Sequence, residues 1–378
     1  MTALARHQTL LRGLARKSRL RSLAPRAGLD FASNDYLGLA NSDRLRGAMA
    51  AALANGTSIG ATGSRLLRGN APEHEELEEA AAHFFRSEAA LYFGGGYTAN
   101  FAILTTLPQK GDLLILDERA HASAHEGARA SKAKAIVVPH NDAAAVDDAI
   151  CAFRTDGGVG QIWIFVESLY SMDGDCAPLT TFAAVADRRD AFLFIDEAHA
   201  TGVYGPDGRG LAAALEGRDN MAVLHTCGKA LGGSGAILTG PRVMRDYLVN
   251  QCRPFIYATA PSPLMAVAAL EALHILREEP WRREQLARLV AYANEASRRC
   301  GIEPSGSQII PVVIGDNARA IAFAAALQER GFDARAVRPP TVPEGTARLR
   351  LSITLNVTQA DIAALFAALD DARRAVAP

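Results

Sequence analysis

The chain has 378 residues, 49% of them hydrophobic and 21% charged, a balance that suits a large folded protein and argues against disorder. Its formal net charge of −1 gives no global attraction for nucleic acid, and no apolar run approaches the roughly 20 residues needed to cross a bilayer. The expected partners are small molecules and further copies of the chain. Five cysteines, Cys151, Cys176, Cys227, Cys252 and Cys300, are widely spaced and form no Cys-x-x-Cys pair. That fits a reducing, cytoplasmic compartment and gives no zinc cluster. Of 40 basic residues only five are lysines, so each lysine is informative.

Residues 1–26 carry seven basic residues and no acid on a Leu- and Ala-rich pattern. A transit peptide reads this way, but so does a basic amphipathic helix, the plainer reading; with no apolar stretch, a secretory signal is not expected. Leu45 to Asn55 reads as a helix, Gly56 to Asn70 is Gly-rich, and Glu73 to Arg86 aligns Leu77, Ala81, Phe84 and Phe85 on one helical face. Strand Ala89–Phe93 runs into Gly94-Gly95-Gly96-Tyr97 and a helix from about Thr98. Further strands are expected at Leu113–Leu116, Ala135–Val138, Gln161–Val166, Ala191–Ile195 and Ala222–His225, with helices such as Ala143–Arg154 and Leu179–Arg189 between them. Continuous apolar strands alternating with amphipathic helices imply an α/β fold, a mainly parallel sheet covered on both faces. Beyond a long helix, Trp281–Arg299, the segments Ile309–Ile314, Ala318–Arg330 and Arg348–Thr354 and a closing helix from near Gln359 read as a smaller α+β domain. The expected division is an N-terminal helical segment 1–37, a large cofactor-binding domain 38–270 and a small C-terminal domain 271–378.

Ligands of open α/β sheets bind beyond the carboxyl ends of the strands, so the residues following each strand are the candidates. Asp117 to Ser123, with His121, follows one strand, and Glu167 to Asp175, with Ser171, follows another. Asp196-Glu197-Ala198-His199 and Thr226-Cys227-Gly228-Lys229 follow the next two. One acid, one lysine, imidazoles, hydroxyls and a Gly-rich helix start suit pyridoxal 5′-phosphate. A lysine forms the Schiff base, a carboxylate keeps the pyridine nitrogen protonated, and helix-start amides hold the phosphate. Lys229 could instead be a solvated surface lysine, Asp196 a turn carboxylate, and His121 an ordinary histidine. Asp196, Glu197, His199, Asp173 and Asp175, or His121 with His125, could be metal ligands, yet they match no complete metal motif, and no metal is expected. Cys227 reads as a small buried residue rather than a nucleophile.

From about Asp30 to its end the chain resembles the α-oxoamine synthases, pyridoxal-phosphate enzymes of the aspartate-aminotransferase fold. The residues that carry the likeness are Ser33 to Leu39, His74 to Glu78, Ser171-Met172-Asp173-Gly174-Asp175, Asp196 to His199 and Gly228-Lys229. The most specific stretch, Arg338-Pro339-Pro340-Thr341-Val342-Pro343 with Gly345 to Leu351, resembles the branch that joins L-alanine to a pimeloyl thioester, on coenzyme A or a carrier protein. The resemblance implies fold type I with a seven-stranded, mainly parallel sheet, and a homodimer with shared active sites. It implies that Lys229 binds the cofactor, Asp196 pairs with the pyridine nitrogen, His199 and Ser171 reach the ring hydroxyl, and His121 stacks on the ring. Gly95, Gly96, Tyr97 and Thr226 would hold the phosphate, with Thr259 serving the neighbouring subunit. Arg350 would grip the amino-acid carboxylate with Asn34 nearby, and Thr341 and Arg21 would line the thioester path, Arg19 being the rival to Arg21. The chain departs from the family in reading Gly96-Tyr97 where Gly-Phe is usual, and His199-Ala200-Thr201-Gly202 where His-Gly-Thr-Gly is common.

Overall fold

A computed structural model describes residues 3–375, so the expected end segments 1–37 and 271–378 extend slightly beyond it. Contacts divide the chain into a smaller unit, residues 1–36, 171–175 and 284–378, and a larger one, residues 37–170 and 176–283. This departs from the expected division in two ways, besides the transfer of residues 171–175 to the smaller unit. The N-terminal segment belongs with the C-terminal region instead of standing alone, and the larger unit continues past residue 270 to Arg283. Helix Pro263–Glu278 explains the second difference. It buries Leu264, Ala268, Ala272, Leu276 and their neighbours against helices Asp43–Ala54 and Pro72–Phe84 of the larger unit.

The smaller unit begins with helix Ala5–Arg16, which buries none of its residues, and strand β1 (Leu29–Asp30). The larger unit holds β2 (Ala89–Phe93), β3 (Leu113–Asp117), β4 (Lys134–Val138), β5 (Ile162–Glu167), β6 (Ala191–Asp196), β7 (Met221–Thr226) and β8 (Ala236–Gly240). They form one sheet in the order β2-β8-β7-β6-β5-β3-β4, with only β8 running against the rest. The chain leaves β3 for β4 on one side and returns to β5 on the other. That reversal is the kind of switch point beyond which α/β sheets bind ligands.

The two faces of the sheet follow from the period-two alternation of a strand. Leu113, Ile115, Ile164, Leu193, Ile195 and Val223 pack on one face with helices Ala143–Thr155 and Leu179–Arg188. Leu114, Leu116, Phe165, Phe194, Ala222 and Leu224 pack on the other with helices Gly96–Thr106 and Ala122–Ala130. Burying a Leu, Ile or Phe side chain contributes about 1.5–3 kcal/mol, so these two layers are the main stabilising feature of the unit. The same parity sets the chemistry: Asp196 falls two residues after Phe194, and Thr226 two after Leu224, on the face of helix Gly96–Thr106.

Strand β8 was not expected. The five-residue segment Ala236-Ile237-Leu238-Thr239-Gly240, following a Gly-rich stretch, carries no periodic signal of its own. It forms because the chain turns back sharply: the Cys227 amide donates to the Gly235 carbonyl at 2.9 Å and the Gly233 amide to the Cys227 carbonyl at 2.8 Å. Gly235 has φ +102°, and a Cβ there would lie about 2.4 Å from the Tyr92 ring, so only glycine fits. Lys229 is held in this turn.

In the smaller unit β1 pairs in parallel with β10 (Phe332–Asp333). β9 (Ile309–Gly315), β11 (Ala336–Val337) and β12 (Ala347–Ser352) form an antiparallel sheet in the order β11-β12-β9. Helices Asn317–Gln328 and Gln359–Ala375 complete the unit.

Candidate active site

In the larger unit the expected residues gather at the carboxyl ends of β6 and β7. Asp196 is the last residue of β6 and is 5% exposed. Asn100 Nδ2 donates to its Oδ2 at 2.7 Å, and the Ala198 amide donates to its Oδ1 at 2.9 Å. No arginine or lysine among the described residues pairs with this carboxylate. A buried charge without a counter-charge is costly, so the arrangement suits a cationic group brought by a ligand. Lys229 Nζ lies 2.8 Å from His199 Nε2, and His199 is itself buried.

His121 caps helix Ala122–Ala130, its Nδ1 accepting from the Ser123 amide at 3.2 Å and lying 2.8 Å from the Ser123 hydroxyl. Its pKa falls below the ordinary value: crowding by the protein dominates, Asp196 pulls it up, and the charges of Lys229 and His125 push it down. Tyr97 stands edge-on to the same ring, with centroids 6.3 Å apart. Ser123 also accepts from Asn100 Nδ2 at 3.0 Å, so Asn100 links the His121 turn to Asp196.

Gly95 precedes helix Gly96–Thr106 and Tyr97 lies in its first turn, which leaves backbone N–H groups without helical partners. A Cβ on Gly96 would come within 2.6 Å of Thr226 Cγ2, while Gly94 and Gly95 face open space. This is a cradle for an anion approached by main chain, beside the Thr226 hydroxyl. The residues present therefore fit pyridoxal 5′-phosphate: an anion cradle, a lysine, and a buried carboxylate with no arginine or lysine paired to it among the described residues. Thr259 lies on the exposed loop before helix Pro263–Glu278, next to Ala260, whose amide donates to the Gly63 carbonyl at 2.9 Å; no hydrogen bond among the described residues joins it to the residues above.

The cradle yields a quantitative expectation. Gly96→Ala should weaken pyridoxal-phosphate retention about tenfold, and adding Thr226→Ser, which removes the opposing methyl, should restore most of it. Equilibrium dialysis of the three proteins measures this; equal retention in all of them would place the phosphate elsewhere.

The smaller unit brings together a second set. Arg350, on β12 and 7% exposed, donates from Nε to the Ser171 carbonyl at 2.5 Å, from Nη1 to Ser352 Oγ at 2.9 Å and from Nη2 to the Tyr36 hydroxyl at 3.4 Å. The Tyr36 hydroxyl lies 3.0 Å from Asn34 Oδ1 and donates to it, and burial pushes its pKa up. Asn34, Tyr36, Arg350 and Ser171 are thus one hydrogen-bonded series. No carboxylate among the described residues pairs with Arg350, so this buried cation is the counterpart of Asp196. Arg21 Nη2 donates to Thr341 Oγ1 at 3.1 Å, both side chains being exposed, and Arg19 pairs with Glu344.

Of three supporting residues, Asn100 was not foreseen, while Ser123 and Glu197 lay in candidate segments without this role. Asn100 and Ser123 orient Asp196 and His121. Glu197, fully buried, accepts from the amides of Leu211 at 3.1 Å and Ala212 at 2.6 Å, and burial pushes its pKa up to about 8. The available hint for Asn100 was an amide side chain among Ala99, Phe101, Ala102, Ile103 and Leu104. The rival readings gain nothing. Burial pushes the Cys227 thiol up to about 12, far from a thiolate nucleophile. Among the described residues no three His, Cys, Asp or Glu side chains are arranged to hold a metal, and no helix is long and apolar enough to cross a membrane.

Residues 26–369 match the family model "Aminotransferase class I and II". The chain is 40% identical over 356 residues to the 8-amino-7-oxononanoate synthase of Mycolicibacterium gilvum, covering 93% of this chain and 91% of that one. It is 42% identical over 354 residues to the enzyme of the same name from Anaeromyxobacter dehalogenans, covering 92% and 87%. Among solved structures, it is similar to a serine palmitoyltransferase of S. paucimobilis with bound PLP–myriocin, at TM-score 0.90, 26% identity and coverage of 100% and 99%. It is also similar to the 8-amino-7-oxononanoate synthase of Francisella tularensis, at TM-score 0.78, 27% identity and coverage of 92% and 98%. With likeness along almost its whole length, the chain belongs to the class I and II aminotransferase family and, within it, to the 8-amino-7-oxononanoate synthases.

Proposed function

We propose that the chain catalyses the decarboxylative condensation of L-alanine with a pimeloyl thioester, giving 8-amino-7-oxononanoate, carbon dioxide and free thiol in biotin synthesis. The observation that carries this reading is Asp196, a buried carboxylate that no arginine or lysine among the described residues pairs with, together with the Lys229–His199 pair. The cofactor is pyridoxal 5′-phosphate, which when bound supplies an electron sink for negative charge at the substrate Cα. Asp196 keeps a proton on the pyridine nitrogen, and Asn100 and the Ala198 amide hold both carboxylate oxygens in place for that task. Lys229 would anchor the cofactor through Nζ and, once the amine of alanine is bound, would serve as general base for the Cα proton. His199, 2.8 Å from Nζ, orients that amine and reaches the ring hydroxyl together with Ser171. His121 would flank the cofactor ring. The amides at Gly95, Gly96 and Tyr97 and the Thr226 hydroxyl bind the phosphate, and Thr259 does so for the other subunit of a homodimer.

Arg350 binds the carboxylate of alanine, with Asn34 supporting it through Tyr36. A guanidinium holds both oxygens of a carboxylate at once, which an ammonium does not. Arg350→Lys should therefore raise KM for alanine about tenfold or more while leaving KM for the thioester within about twofold. Thr341 and Arg21 line the thioester path. Five free cysteines fit a reducing cytoplasm.

The likeness to serine palmitoyltransferase favours one rival, a different amino acid and acyl chain on the same machinery. The deciding experiment measures kcat/KM for L-alanine with pimeloyl-CoA, glycine with acetyl- or succinyl-CoA, and L-serine with palmitoyl-CoA, with product masses determined. The first pair should exceed the others by at least about a hundredfold. If another pair wins, the cofactor chemistry stands and the biotin assignment falls.

A further inference from the structure

The turn that carries Lys229 is closed on itself by backbone hydrogen bonds, from Cys227 to Gly235, from Gly233 to Cys227, and from the Gly232 amide to the Lys229 carbonyl at 2.9 Å. Three contacts join it to the rest of the larger unit. Gly232 has φ +65° and passes so close to Leu39 that a Cβ would lie 2.5 Å from the Leu39 carbonyl carbon. Ala230 packs on Gly202, where a Cβ would lie 2.8 Å from the Ala230 methyl. These two are steric and resist only approach. The third is directional. Tyr92, fully buried, donates from its hydroxyl to the Ser234 carbonyl at 2.6 Å, and its ring edge takes the place that a Gly235 side chain would need.

Tyr92 is itself firmly placed. Its strand, β2, is an edge of the sheet, and the Tyr92 amide donates to Glu78 Oε1 at 2.8 Å. Arg65 grips that carboxylate with Nη1 at 2.7 Å and Nη2 at 3.0 Å. Burial first, and then the neighbouring Cys227, push the pKa of the Tyr92 phenol up, so it stays a neutral donor. A buried tyrosine hydroxyl takes a partner, and here the partner is the returning limb of the turn that holds the reactive amine. An amine held in place loses less freedom when it reacts.

We infer that Tyr92 is a positioning residue for Lys229: its hydroxyl ties the Ser234 limb to the rigid edge strand and so keeps Nζ in place, 2.8 Å from His199 Nε2. The inference rests on the reading of Lys229 as the cofactor's anchor and deepens it.

The test is a cycle of four apoproteins: wild type, Tyr92→Phe, Lys229→Ala and the double variant. Tyr92→Phe keeps the ring on Gly235 and loses the hydroxyl. The Ser234 carbonyl belongs to an exposed residue and stays open to water, so the fold should persist. Equilibrium dialysis measures retention of pyridoxal phosphate. With Lys229 present, Tyr92→Phe should weaken retention about fivefold to tenfold, the size of one hydrogen bond. In the Lys229→Ala background the same change should alter retention less than about twofold. An equal loss in both backgrounds means that Tyr92 supports the phosphate cradle or the fold at large, and no loss in either means that its hydroxyl does not act on Lys229; each overturns the inference. Ser87→Ala removes a similar bond, from hydroxyl to the Gly240 carbonyl at 3.1 Å, at the far end of β8. It should match wild type, and a loss as large as that of Tyr92→Phe overturns the inference too. If borohydride reduction of wild type leaves no cofactor on Lys229, the anchor reading fails separately. Hydrogen exchange then decides for Tyr92: the Cys227 and Gly233 amides should exchange about fivefold to tenfold faster in Tyr92→Phe, and equal rates overturn the inference. Should Tyr92→Phe not fold, the wild-type amides carry the test. Strong protection of Gly233 is the expected result, and exchange at the rate of an unprotected peptide overturns it.

Discussion

Lys229→Ala is expected to lower turnover of L-alanine with pimeloyl-CoA by at least about a thousandfold. General base catalysis alone is worth about a hundredfold to ten-thousandfold, and on the proposed reading the same amine also anchors the cofactor. Its position explains why no neighbour can take over. Lys229 sits in the tight turn between β7 and β8, its Nζ is 2.8 Å from His199, and the chain's other four lysines, Lys17, Lys110, Lys132 and Lys134, lie outside that turn. His199 lacks the primary amine the anchor requires. The fold should survive, because Lys229 is only partly buried and contributes little apolar surface. Borohydride reduction followed by peptide mass analysis provides the second readout. Wild type should carry the reduced cofactor on Lys229, and the variant should carry none. A variant that still fixes the cofactor covalently would show that another amine is the anchor.

Asp196→Asn is the second large effect. The side chain keeps its shape, and its amide oxygen can still accept from Asn100 Nδ2 or the Ala198 amide. The charge is lost, and with it, on the proposed reading, the means of holding a proton on the pyridine nitrogen. A preorganised charge partner of this kind contributes about 3 kcal/mol to the transition state, so exchange of the alanine Cα proton in deuterium oxide should slow about a hundredfold or more. The melting temperature should change little or rise, because a buried carboxylate without a counter-ion is itself a cost to the protein. Exchange at the wild-type rate would mean that another carboxylate faces the ring nitrogen. Glu167 is the neighbour to examine, since the β5–β6 register sets it directly beside Asp196.

These expectations depend on side chains that the sequence exposed to different degrees. Strand-end residues such as Asp196, Thr226 and His121 were legible because an apolar run followed abruptly by polar residues marks where a buried strand leaves the sheet. Lys229 stood out through the scarcity of lysine and the glycines around it. Helix Trp281–Arg299 was found at its full length, because a long 3.6-residue pattern averages over local exceptions. Strand β8 was missed for the opposite reason, being too short for any period to register.

By itself, then, the amino-acid order determined the alternation of buried strands and amphipathic helices, the direction of most of the sheet, and the residue types at the strand ends. Each of these is a local property, set by side-chain period and by which residues follow an apolar run. Only the tertiary structure decided who holds whom. Asn100 lies 96 residues from Asp196 and reaches it because helix Gly96–Thr106 packs on the face to which the pleat turns that carboxylate. Arg350 meets Tyr36 across 314 residues, and Arg21 meets Thr341 across 320, pairings that no spacing along the chain encodes. The limits of the two units were likewise tertiary. Helix Pro263–Glu278 belongs to the larger unit because of what covers its apolar face, which depends on distant helices and not on its own composition.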